Sequence, residues 1–155
     1  MSRIIEMMTV NVQVRDMAEA VAKVEAMGLE PLPLSHMPGP PAYIDDVSVP
    51  FGTNGHISLI TPNSEKSQIN DLLEKRGPGL NSISVRVENI RQVMEEWSKA
   101  GLKWTFPEPQ ALLPPKSPVV GYAPDLLWAN WIRPSSFFGV TVEVFEFEGK
   151  FGRHA

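Results

Sequence analysis

The sequence predicts an α+β domain of two tandem βαβββ modules whose strands form one cup-shaped mixed sheet. Three observations carry this prediction. First, MTVNVQVRDM at 8–17 returns as LNSISVRVENI at 80–90, and a displacement of 73 residues places Val12 on Val85, Val14 on Val87, Asp16 on Asn89, Gly28 on Gly101 and Leu29 on Leu102 without a gap. Internal repeats fix architecture before other patterns do, and this one has the length of half a domain rather than of a solenoid unit. Second, in each copy a period of two gives way to a helical period. Third, of 15 prolines six lie in 31–50 and six in 107–124, equivalent places in the two copies.

Each element follows in chain order. After the first strand, DMAEAVAKVEAMG sets Met17, Ala20, Val21, Val24 and Met27 on one helical stripe, with Asp16 as N-cap and Gly28 as the stop. LEPLPL is a short extended segment, the proline-rich loop follows, and AYIDDVSV and GHISLI are strands. Loops of this length in a compact domain are lids or binding loops, although proline also simply stiffens an edge connection. SEKSQINDLLEKRGPG, 64–79, reads as a linker with one or two helical turns ended by a glycine-proline break. The second copy repeats the order. NIRQVMEEWSKAG is striped by Ile90, Val93, Met94 and Trp97, capped by Asn89 and stopped by Gly101, and LKWTF, LLWANWI and GVTVEVFEF are extended. The expected organisation is one domain over 1–155, with modules at about 1–63 and 80–148 and a tail at 149–155.

Bulk properties exclude several functions. A formal charge of -4 argues against a general nucleic-acid surface, which shows a basic stripe. No apolar run approaches the roughly 18 residues of a membrane span, and MSRIIEMMTV lacks the pattern of a secretory signal, so a cytoplasmic protein is expected. The absence of cysteine removes disulfides, thiolate metal sites and a cysteine nucleophile.

Alternate strand residues face opposite sides of a sheet. One set collects Val10, Val12, Val14, Ile57, Leu59, Ile83, Val85, Val87, Val140, Val142 and Val144, and the helices are expected to pack there. The other collects Thr9, Asn11, Gln13, His56, Ser58, Ser82, Ser84, Arg86, Thr141, Glu143 and Phe145. A wet face is common in antiparallel sheets. A solvated face mixes Lys with Glu, however, whereas this one is small and neutral around one Glu and one Arg, which suits an enclosed polar cup.

Two βαβββ modules of this length resemble the vicinal oxygen chelate superfamily, which includes glyoxalases, extradiol dioxygenases, bleomycin-resistance proteins and methylmalonyl-CoA epimerases. LITPNSEKSQINDLLEKRGPGLNSISVRVENI and WIRPSSFFGVTVEVFEF are similar to corresponding stretches of the epimerases, and the likeness is strongest from 56 to 106. The resemblance implies the glyoxalase-like fold and an isomerase or lyase that abstracts a proton beside a carbonyl or thioester. It places the family's metal seats, typically two His and two Gln or Glu, on Thr9, Ser58, Ser82 and Glu143. Hydroxyls hold divalent transition metals poorly, so no metal and no cofactor is expected, although His56 shares the face and could complete a residual site. The family's loop over the coenzyme A tail falls on RPSS, with its usual Lys replaced by Ser135 and with Arg133 two positions earlier. A second acid is implied near the loop that carries Asp45 and Asp46.

Glu143 and Asp46 are therefore the candidate acid–base residues. Thr9, Asn11, Gln13, His56, Ser58, Ser82, Ser84, Arg86, Trp131, Arg133, Thr141 and Phe145 are the candidate ligand-binding residues. A carboxyl group removed from water has its pKa raised, which suits a base near neutrality. Three bland readings stand beside this. Glu143 pairs with Arg86 and does no chemistry; Asp45 and Asp46 form a turn or strand-edge pair; His36 and His154 are solvated. Trp97 is expected in the core, and one of Trp104, Trp128 and Trp131 in the cup. The expected partners are a small-molecule ligand such as an acyl-CoA and a second copy of the chain, with neither nucleic acid nor membrane. The alternative function is a binding or sequestering protein of the bleomycin-resistance type.

Overall fold

The computed structural model describes residues 3–40, 43–52, 55–112 and 127–148. In chain order they form β1 (Ile4–Gln13), α1 (Met17–Ala26), β2 (Ser35–Met37), β3 (Ile44–Phe51), β4 (Gly55–Pro62), α2 (Gln68–Arg76), β5 (Gly79–Val87), α3 (Ile90–Lys99), β6 (Gln110–Leu112), β7 (Leu127–Ile132) and β8 (Thr141–Glu146). The strands make one mixed, curled sheet in the order β2-β3-β4-β1-β5-β8-β7-β6. Its symmetry is that of the repeat. Each copy places its first strand parallel to its last, β1 beside β4 and β5 beside β8, and the antiparallel pair β1 and β5 joins the copies in the middle. The half-barrel is thus continuous within one chain.

The apolar set faces the helices as expected. Val14, Leu59, Val47 and Val49 pack with Val24, Val21, Ala20 and Met17 of α1, with Val12 and Ile57 against the same cluster. Val85, Val87, Val142, Val144 and Ile132 pack with Ile90 and Val93 of α3, flanked by Met94 and Trp97. Burying one such aliphatic side chain is worth roughly 1.5–3 kcal/mol. Asp16 accepts from the Glu19 N–H and Asn89 from the Gln92 N–H, so both predicted N-caps form. Gly28 and Gly101 both take positive φ, +80° and +92°, the left-handed turn that ends each helix.

Four expectations are corrected. Met27 is the C-cap residue of α1 and is 65% exposed, because the stripe turns off the sheet after Val24. LEPLPL is not a strand, since Pro31 and Pro33 lack the N–H groups a ladder needs, and the edge strand of that half is Ser35–Met37. In LKWTF only an isolated bridge from Trp104 to Ile132 forms, and the edge strand comes later at Gln110–Leu112. The segment read as a linker with one or two helical turns does form a helix, α2, capped by Ser67, but it also packs on the sheet, where its Ile69 and Leu73 cover Ile60 and Ile44. Ile60 follows His56 and Ser58 on the concave side of β4, so α2 closes one end of the cup. Residues 113–126, His154 and the tail 149–155 lie outside the described residues. Among the described residues no helix is long and apolar enough to cross a membrane.

Candidate functional site

The site grows from the four central strands. Register sets Thr9 beside Ser84 and Asn11 beside Ser82 across β1 and β5, then Ser82 beside Thr141 and Ser84 beside Glu143 across β5 and β8. On the other flank Asn11 lies beside Ser58 and Thr9 beside His56. Small polar residues at these positions let side chains from neighbouring strands bond directly. The Asn11 amide donates to the Ser82 hydroxyl at 2.8 Å, to Ser84 at 3.1 Å and to Glu143 Oε2 at 3.2 Å. The Ser84 hydroxyl donates to the same oxygen at 2.6 Å. Trp131 Nε1–H, one strand further on β7, donates to Oε1 at 3.3 Å. Thr9 completes the net toward Asn11 and Ser84 at 2.7 and 2.9 Å.

Asn11, Ser58, Ser82, Ser84 and His56 are all buried. The face is therefore an interior polar network, not a solvated sheet surface. Glu143 is half-buried as a residue, but its carboxyl is surrounded, and burial raises its pKa although Ser84, Trp131, Asn11 and Ser82 all favour the anion. Four donors thus fail to offset desolvation fully.

The opposite wall carries the second acid. Asp46 on β3 accepts from the Ser58 hydroxyl. Burial lifts its carboxyl from an ordinary 3.8 to about 6; the Ser58 bond opposes the rise and the charge of Glu143 adds to it. Asp45 points the other way, against His36 at 2.5 Å, with the Asn63 amide on the same oxygen. The paired aspartates are thus split between the two faces, and only Asp46 belongs to the cup.

The remaining candidates separate. Gln13 is tied by its own amide to the Gly77 carbonyl at 2.8 Å and by its oxygen to Asn81 at 3.0 Å, which anchors the end of α2. Arg86 leans to Glu6 at 3.4 Å, to the Phe147 carbonyl at 2.8 Å and over the Phe147 ring at 4.3 Å. The alternative pairing of Arg86 with Glu143 does not occur. Thr141 and Phe145 are half-buried on the concave side of β8. His56 bonds Ser48 through Nδ1 at 3.1 Å. Arg133 is exposed past the end of β7, in a hollow of about 590 Å³ between α3 and the 104–109 loop, away from Glu143. Trp104 stacks on Trp97 and Trp128 packs on the α3 core, which leaves Trp131 as the indole at the carboxylate. Ser48 was missed by sequence reasoning, yet it lies two residues after Asp46 on β3, so alternation puts both on one face.

The family's metal seats do not fit a divalent transition metal. Thr9 and Ser82 are bonded to Asn11 and Ser58 to Asp46, so three hydroxyls are committed beside one carboxylate. Among the described residues no group of three or more His, Cys, Asp or Glu could hold an ion.

Solved structures reproduce the fold. A hypothetical protein from Bacillus halodurans is 20% identical with a TM-score of 0.75, over 96% of this chain and 98% of that one. Methylmalonyl-CoA epimerase from Mycobacterium tuberculosis is 20% identical with a TM-score of 0.74, over 94% and 90%. A variant of the Streptomyces coelicolor epimerase, in complex with 2-nitronate-propionyl-CoA, is 14% identical with a TM-score of 0.74, over 95% and 100%. No curated protein matches the chain. Residues 9–112 match the glyoxalase/bleomycin resistance protein/dioxygenase superfamily, and with the paired modules and their curled sheet this makes the chain a member of that superfamily.

Proposed function

We propose that the chain is a metal-independent isomerase or lyase that moves a proton beside a carbonyl or thioester, with Glu143 and Asp46 as its acid–base groups. The observation that carries this reading is the pair itself: two carboxyl groups raised by burial, set on opposite walls of one polar cup. A carboxylate with raised pKa is a better base near neutrality. Taking a proton from one side of a carbon and returning it on the other needs a group on each wall. The Ser84 hydroxyl and the Asn11 amide serve the Glu143 anion, and once Glu143 takes the proton they are released toward an oxygen that becomes negative as the proton leaves. The family's usual metal would supply that stabilisation as a Lewis acid; here the seats favour hydrogen bonds instead. The acyl-CoA bound in the Streptomyces coelicolor structure supports a thioester as ligand.

The test is deuterium uptake. Acyl-CoA thioesters incubated with the protein in heavy water are expected to gain label at the α carbon, read by mass spectrometry. Glu143→Gln is expected to lower the rate by about 10²-fold or more, the usual loss with a general base. A second reading, a binding protein that does no chemistry, is favoured by the engagement of both Glu143 oxygens with protein donors. It predicts ligand returned unlabelled and, for the same variant, a loss of affinity of about 1–3 kcal/mol.

The same proposal places the protein in the cytoplasm as a homodimer, for which exposed Ile4, Ile5 and Met7 at the start of β1 offer an apolar surface. Sedimentation that shows monomer alone at micromolar concentration counts against the dimer.

A further inference from the structure

We infer that the cup takes a neutral acyl thioester and rejects one whose α carbon carries a carboxylate. This rests on the proton-transfer reading above and narrows its substrate class.

The first ground is the charge that faces the ligand. Glu143 and Asp46 project from opposite walls, and Asp46 already feels the charge of Glu143. A further carboxylate between them meets repulsion from whichever of the two is ionised as the base, and inside a protein that repulsion is screened far less than in water.

The second ground is what stands opposite those charges. Among the described residues, Arg86 is the one Lys or Arg within any of the eight strands. Its guanidinium is held toward the rim by Glu6, the Phe147 carbonyl and the Phe147 ring. Arg15 is spent on the Leu73 carbonyl at 2.7 Å, on the α2 side. Arg3 and Arg91 pair with Glu88 and Glu108, and Arg133 is exposed.

The third ground is the neutral seats themselves. Where a divalent cation would offset a ligand carboxylate, Thr9, Ser58 and Ser82 bring no charge. Their hydroxyls are engaged with Asn11, Ser84 and Asp46, and being neutral they do not offset an anion. Discrimination of this kind, by a repulsive element rather than an added attraction, is a common source of specificity.

The experiment compares propionyl-CoA with methylmalonyl-CoA, which differ by the α-carboxylate alone, by calorimetric titration of the full chain. Propionyl-CoA is expected to bind about tenfold or more tightly. Asp46→Asn and, separately, Glu143→Gln are each expected to narrow the gap by strengthening methylmalonyl-CoA; Asp46→Asn keeps an acceptor for Ser58, so one variant serves if the other misfolds. Equal or tighter binding of methylmalonyl-CoA, or no binding of either thioester, overturns the inference. Deuterium uptake separates it from the reading beneath it. Tight propionyl-CoA binding without label supports charge selection while sinking proton transfer, and label in both thioesters at equal affinity does the reverse.

Discussion

With its carboxyl held at about 6 against an ordinary 3.8, Asp46 binds a proton more tightly in the folded chain than in the unfolded one. Its contribution to stability is therefore fully present below pH 3.8, falls as pH rises through 6, and is lost above that. The difference corresponds to about 3 kcal/mol. Asp46→Asn is expected to be more stable than the parent at pH 8 by up to about that amount, and equal to it near pH 3, as read from urea unfolding at the two values. Glu143, raised by the same cause, has the same sign. Trp131→Phe removes a donor that favours the Glu143 anion. It should move the acid limb of the exchange rate to higher pH; an unmoved limb would show that the indole does not tune the carboxylate. Alternation in β1, β4, β5 and β8 made the polar net legible, since each of Thr9, Asn11, Ser58, Ser82, Ser84 and Glu143 sits where a period of two puts it. Which of them bond one another was not legible, because that depends on register between strands as far apart in sequence as Asn11 and Glu143. Ser48 was missed for a simpler reason, since its strand was recognised but the faces of that strand were not sorted.

Among the elements, α1 and α3 were readable because each carries its own signals: a capping residue, an apolar stripe and a glycine stop. Asn89→Ala, which removes the cap that holds the Gln92 N–H, is expected to cost about 0.5–2 kcal/mol in thermal or urea unfolding. α2 was read only as one or two turns within a linker, for a physical reason. Its stripe is short, with Ile69, Leu72 and Leu73 alone, and the surface it covers is the end of a face otherwise polar. Ile60 is the residue that breaks the polar pattern, and a helix over it follows only once β3 is known to bring Ile44 alongside. Leu73→Ala is expected to cost about 2–5 kcal/mol, the range for truncating a buried leucine. Leu73 also marks where Arg15 is bound, through its carbonyl. A cost below 1 kcal/mol would mean that α2 is not packed as described.

At the scale of the molecule, the repeat carried the architecture: a displacement of 73 residues predicted two equivalent modules, and the sheet places their first strands side by side at its centre. The proline-rich segments were less informative, because proline reports where a ladder must stop rather than where the chain goes next. The central pairing has a kinetic consequence. Ser84 and Trp131 lie 59 and 12 residues from Glu143, but Asn11 is 132 residues away, so the carboxylate acquires this last donor only after nearly the whole chain has closed on itself. Contacts of such separation are made late, since their loop entropy is met before they return any stabilisation. The Asn11 bond is therefore expected among the last contacts to form, after β8 has already brought Glu143 to Ser84. The Trp131 indole, which reaches the carboxylate across β7 and β8, is placed to record the earlier closure of those two strands in its fluorescence during refolding, ahead of the joining of β1 to β5.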